Sequence, residues 1–129
     1  MRDLLKIFKA LSADIRLRMV DLLIARDDDI KSDIGQEKER CVDEIRIAMH
    51  LSPTQTSRNL NILSNAGLLK ARRDGPLVFY SLDSKLIKKN CAGLEAVVKQ
   101  AFEVDQTAQL HRERLKRPAS RRTDKEAGM

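Results

Sequence analysis

A short amphipathic helix, a second helix with a strong start signal and an Asp-Gly hairpin follow one another over residues 42–82. In that order they predict a mostly α domain with a small β-hairpin wing. The first helix is Val42–Met49, with Val42, Ile45 and Met49 on one side. The second opens at Leu51-Ser52-Pro53-Thr54-Gln55. Ser52 with Gln55 three residues later is a capping box, and Pro53 occupies the first helical position, where its missing N–H costs nothing. This helix runs from Pro53 to Ala66 with Thr56, Leu60 and Leu63 inward, and Gly67 supplies the left-handed residue past its end. Leu68–Arg73 and Leu77–Leu82 read as strands around Asp74-Gly75, a strong hairpin signal. Two helices joined by a tight turn and followed by a hairpin make a winged helix-turn-helix.

The flanking segments are helical. Residues 2–11 place Leu4, Leu5, Phe8 and Leu11 at helical spacing. Ser12 offers an N-cap for a helix reaching about Arg26, with Asp14 in its first turn and Ile15, Met19, Leu22 and Leu23 along one face. Asp27 to Arg40 loses that period and reads as a solvated loop; its Asp run lacks the ligand spacing of a calcium-binding loop. From Ser84 to Arg117 one long helix is expected, with an apolar stripe of Leu86, Ile87, Leu94, Val97, Val98, Ala101, Phe102 and Leu110 and a kink or close contact at Gly93. That stripe is longer than one small domain covers, which points to a partner helix. Residues 1–117 are therefore expected to form one domain, and 118–129, small and charged, a disordered tail.

Composition narrows the function. The chain has 129 residues, a net charge of +6, 3% aromatic residues and no Trp, so its core must be aliphatic. No apolar run approaches the ~18–20 residues of a bilayer span, and the charged N-terminus lacks the apolar block of a signal peptide. Two cysteines suit a reducing compartment, and a cytoplasmic location is expected. An enzyme is disfavoured: there is no glycine-rich phosphate loop and no Ser/His/Asp grouping, and His50 and His111 are the sole histidines. Residues 1–37 carry seven basic and eight acidic side chains, whereas 38–82 carry seven and four, so the positive excess begins with the helix-turn-helix.

Double-stranded DNA is the expected partner. Opposite its apolar side, helix Pro53–Ala66 carries Thr54, Gln55, Ser57, Arg58 and Asn61. Arg58 can pair bidentately with guanine, Gln55 or Asn61 with adenine, and Thr54 and Ser57 can reach bases or phosphates. On the hairpin, Lys70, Arg72 and Arg73 are placed to meet phosphates, which position a protein without reading sequence. The competing readings are a capped helix facing water, an architectural DNA-binding protein without an effector, and a winged helix serving as a protein–protein adaptor.

The segments Phe8-Lys9-Ala10-Leu11-Ser12, Arg16-Leu17-Arg18, Leu51 to Leu60 and Asn65-Ala66-Gly67-Leu68-Leu69, with the hairpin Ala71 to Leu82, resemble the ArsR family of bacterial metalloregulatory repressors over about residues 4–82. The resemblance implies a homodimer packed through its first and last helices, binding a pseudo-palindromic operator as a repressor. It also implies release by an inducer, such as As(III) or another thiophilic ion. Many members carry Cys-x-Cys at the start of the first motif helix; here Cys41 stands at one position and Asp43 at the other. One thiolate with a carboxylate is a harder site than two thiolates. Cys41 and Cys91 could ligate a metalloid within or between subunits, respond to oxidants or persulfide, or simply fill apolar space. His50 reads as a helix-end residue. Asp83 and His111 lack the close His pairs of the family's other site, so that site is not carried over.

Overall fold

The computed structural model describes residues 2–26 and 38–116; residues 27–37 of the expected loop and the expected tail at 118–129 lie outside them. Helices α1 (Arg2–Leu11) and α2 (Asp14–Leu23) lead to a two-residue strand β1 (Arg40–Cys41), then α3 (Val42–Met49) and α4 (Pro53–Asn65). Strands β2 (Leu69–Asp74) and β3 (Leu77–Leu82) follow, and α5 (Ser84–Cys91), α6 (Leu94–Phe102) and α7 (Gln106–Lys116) complete the described chain. The core is aliphatic, as the shortage of aromatics requires: Ile7, Met19, Leu22, Ile45, Leu60, Leu63 and Leu68 are fully buried.

The helix-turn-helix forms where its local signals place it. α3 ends on exposed His50, in the left-handed region at φ 55°, which redirects the chain into Leu51. Ser52 Oγ then accepts from Gln55 N at 3.1 Å while Gln55 Oε1 accepts from Ser52 N at 3.3 Å, closing the capping box. At the other end Gly67 takes φ 84°, and Leu68 N donates to Leu63 O at 3.0 Å. A Cβ at Gly67 would also meet Leu86 at 3.0 Å.

Four expectations need correction. Ser12 does not cap α2: its hydroxyl donates back to Lys9 O at 2.7 Å, the N-cap is Ala13, and the helix stops at Leu23 rather than Arg26. A serine hydroxyl near a helix end can serve the preceding turn as readily as the following one. Arg40 belongs not to a loop but to β1, which pairs antiparallel with β3 (Arg40 with Tyr80, Cys41 with Phe79) and gives the order β1-β3-β2. The hairpin turns one residue later than read, because Asp74 pairs with Leu77 and leaves Gly75 (φ 62°) and Pro76 as the loop.

The largest correction concerns the helix expected from Ser84 to Arg117, which is three helices. Gly93 adopts φ 91°, outside helical space, and a second break before Asp105 starts α7, whose Ala108 N donates to Asp105 Oδ1 at 2.9 Å. α7 then returns across α2 and α3. Arg18 on α2 grips Asp105 with both nitrogens at 2.8 and 3.3 Å and lies over the Phe102 ring at 5.1 Å. Arg112 donates to Asp21 Oδ2 at 2.6 Å, and Arg114 to Ala48 O at 3.1 Å. Of the expected stripe Ile87, Val98 and Phe102 are buried within the chain, whereas Val97, Ala101 and Leu110 remain exposed, so folding of one chain covers only part of it.

His111 on α7 is buried among cations. Burial, reinforced by Arg114, Arg18 and His50 and opposed by Asp105, pushes its pKa below the usual 6.5. A base with a depressed folded pKa contributes stability that is present above its unfolded value and lost as pH falls through the folded one. The thermal midpoint is therefore expected to decline as pH drops from about 7 to about 5, and His111→Gln to flatten the decline. An equal decline in the variant would assign it to another group.

Candidate nucleic-acid interface

α4 presents two chemically distinct sides. Thr56, Asn59, Leu60 and Leu63 are buried, while Thr54, Gln55, Ser57, Arg58 and Asn61 are all exposed, so every expected base-reading side chain lies on the outer side. Among the described residues the Arg58 guanidinium has no hydrogen-bond or ion-pair partner, leaving its donor fork available to a guanine edge. Gln55 is less free: its side-chain oxygen is engaged by Ser52, so pairing both its amide groups with adenine would open the capping box. Asn61 has no such commitment.

A polar strut that the sequence reading did not identify holds this helix. Arg16 on α2 donates through Nε to Ala10 O at the end of α1, and through Nη1 to Asn59 Oδ1 at 2.9 Å. Asn59 in turn donates to Gln55 O at 2.8 Å, beneath the outward row. One guanidinium thus ties the first two helices to α4. The available signal was Asn59 on the same helical side as Thr56, Leu60 and Leu63, a polar residue where an apolar one is expected.

On the wing, Lys70, Arg72 and Arg73 are exposed, but they are not equivalent. Arg72 is held by Glu39 at 2.9 and 3.0 Å and lies over the Phe79 ring at 4.9 Å. The Arg72 guanidinium keeps the Glu39 carboxyl below its ordinary value. Arg72 therefore has its charge largely balanced, whereas Arg73 has no partner among the described residues and leaves its charge unpaired near the hairpin tip.

Of the three sensor candidates, Cys41 and Asp43 share the start of α3 and Cys91 stands on a different helix. Cys41 is the N-cap of α3, half-buried, with Glu44 Oε1 accepting from its backbone N at 3.0 Å; burial raises its thiol pKa, which disfavours the thiolate. Asp43 is exposed and pairs with Arg46 at 3.3 Å. Cys91 ends α5, which packs on α1 and α6, away from the β1–α3 junction that holds Cys41. Both thiols are free, and among the described residues no three Cys, His, Asp or Glu side chains converge as a metal site would require. No described helix is long and apolar enough to cross a membrane.

No family model matches the chain. It is 40% identical over 101 residues to the arsenic resistance transcriptional regulator ArsR1 of Pseudomonas putida, covering 76% of this chain and 70% of that protein. It is 34% identical over 87 residues to a cadmium resistance transcriptional regulatory protein, a CadC homolog, of Staphylococcus aureus, covering 67% of this chain but 63% of the relative's length. Among solved structures, a homodimeric winged helix-turn-helix DNA-binding domain from Mycobacterium bovis, a possible ArsR-family regulator, superposes with a TM-score of 0.57 at 28% identity, covering 81% of this chain and 82% of that one. The fold, the capped second helix with its exposed polar row, and these identities converge: the chain belongs to the ArsR family of transcriptional regulators, which are not enzymes.

Proposed function

We propose that the chain is a homodimeric, sequence-specific repressor that reads operator DNA through Thr54, Gln55, Ser57, Arg58 and Asn61 and steadies itself on phosphates through Lys70, Arg72 and Arg73. The observation that carries this reading is an unpaired Arg58 in an exposed polar row, on a helix fixed at its start by a capping box and beneath by Arg16. Helix-turn-helix proteins insert such a helix into the major groove with its N-terminal residues near base edges. The exposed apolar pair Leu5 and Phe8 on α1 is the surface through which two copies would meet. Selection of bound duplexes from a random library tests the reading. Enrichment of an inverted repeat is expected; recovery of unrelated sequences would instead indicate an architectural protein.

Effector release belongs to the same proposal and rests on Cys41. The residue caps the first helix of the motif and lies opposite Phe79 of the wing, so a ligand on its sulfur would strain both DNA-contacting parts. Cys41 and Asp43 do not make a metal centre by themselves, and donors from a second copy, Cys91 among them, would have to complete one. Arsenite is expected to release the wild-type protein from the selected duplex and to leave Cys41→Ser bound. Because the thiol must lose its proton and its pKa is raised, release should strengthen with rising pH. Equal release of both proteins would remove Cys41 from the account.

A further inference from the structure

α1 has three sides rather than two. Ile7, Ala10 and Leu11 enter the core, and Leu5 and Phe8 form an apolar flank, 51% and 53% exposed. Lys6 and Lys9, one turn apart, form the remaining flank and are exposed. At about 100° per residue, the basic and apolar flanks fall on opposite sides of the buried one. The basic flank borders the base-reading helix: Lys6, Lys9 and Ala10 line one groove with Ile62, Asn65 and Ala66 of the C-terminal part of α4. Asn65 lies four residues beyond Asn61 and so continues the outward row of that helix. Among the described residues neither lysine ammonium has a partner.

We propose that Lys6 and Lys9 contact the phosphate backbone of duplex DNA, extending the interface past the C-terminal end of α4 onto α1. The proposal rests on α4 facing DNA. A second copy seated on Leu5 and Phe8 would lie beside Lys9, one turn from Leu5, with Lys6 farther round the helix. Segment charge conceals the feature: residues 1–37 carry one more acidic than basic side chain, so the local pair is lost in the sum.

Ammonium–phosphate contacts release counterions and carry no sequence information, which gives them a distinctive signature. The test is fluorescence anisotropy of the full chain on the library-selected duplex and on a mixed-sequence duplex over a range of KCl. Lys6→Gln/Lys9→Gln is expected to weaken both complexes by the same factor. It should also flatten the dependence of log affinity on log salt by about 0.9 for each lysine that leaves a phosphate. Lys6→Arg/Lys9→Arg should keep the wild-type slope. An unchanged slope in the Gln variant, or a loss confined to the selected duplex, would overturn the proposal. A wild-type protein that binds both duplexes equally yet shows the lysine-dependent slope would defeat the base-reading role of α4 and leave the lysine contact standing.

Discussion

Asp21→Ala is expected to destabilise the chain by about 3–5 kcal/mol, read as a lowered urea midpoint. Asp21 is 1% exposed, and its two oxygens take Arg26 from just past α2 and Arg112 from α7. Both arginine side chains are themselves almost buried, at 12% and 11% exposed. Removing the carboxylate leaves buried positive charge without compensation, which costs far more than the net worth of the ion pair. Arg112 would retain Phe102 O at 3.2 Å and would not return to water freely. The loss should also be local in character: amides of Gln106–Lys116 are expected to exchange faster than those of α4. A deficit under about 1 kcal/mol would mean that the arginines resolvate easily and that apolar contacts alone hold α7.

Arg16→Ala should separate folding from DNA reading. Asn59 Oδ1 and the Ala10 carbonyl would each lose a charged donor, and an unsatisfied buried acceptor costs about 1–3 kcal/mol. A stability loss of about 2 kcal/mol is therefore expected. The larger consequence lies in recognition, since Asn59 orients the turn of α4 that bears Gln55 and Arg58. Affinity for the selected duplex should fall by more than affinity for mixed-sequence DNA, which depends on phosphate contacts. Arg16→Lys should recover little, because one ammonium cannot span both acceptors as the guanidinium fork does. Equal losses on the two duplexes would reduce Arg16 to a purely structural role.

What the sequence made legible was local. Ser52, Pro53, Gln55 and Gly67 each act within one turn of chain, and the structure uses each as its chemistry predicts. The hairpin followed from alternation and Gly75, displaced by one residue. What escaped was long-range or sign-ambiguous. β1 is two residues whose partners lie some forty positions away, with no local pattern to announce them. The breaks after Cys91 and Phe102 leave the apolar spacing intact, so three helices read as one; Gly93 was visible as a kink but not as a positive φ. The outward row of α4 was legible because exposure follows from the opposite face being apolar. The Arg16–Asn59 strut and the neutralisation of Arg72 by Glu39 were not, because both depend on which distant side chains meet.

The central claim is that α4 reads base sequence, and Arg58→Ala tests it most directly. Anisotropy should be measured at one fixed salt concentration on the selected duplex and on mixed-sequence DNA. The wild-type protein is expected to prefer the selected duplex strongly. Arg58→Ala should lose about 1–3 kcal/mol of that preference, the worth of one bidentate base contact, while its mixed-sequence affinity changes little. If the variant discriminates as well as the wild type, the exposed row of α4 does not read DNA through Arg58 and the account is contradicted.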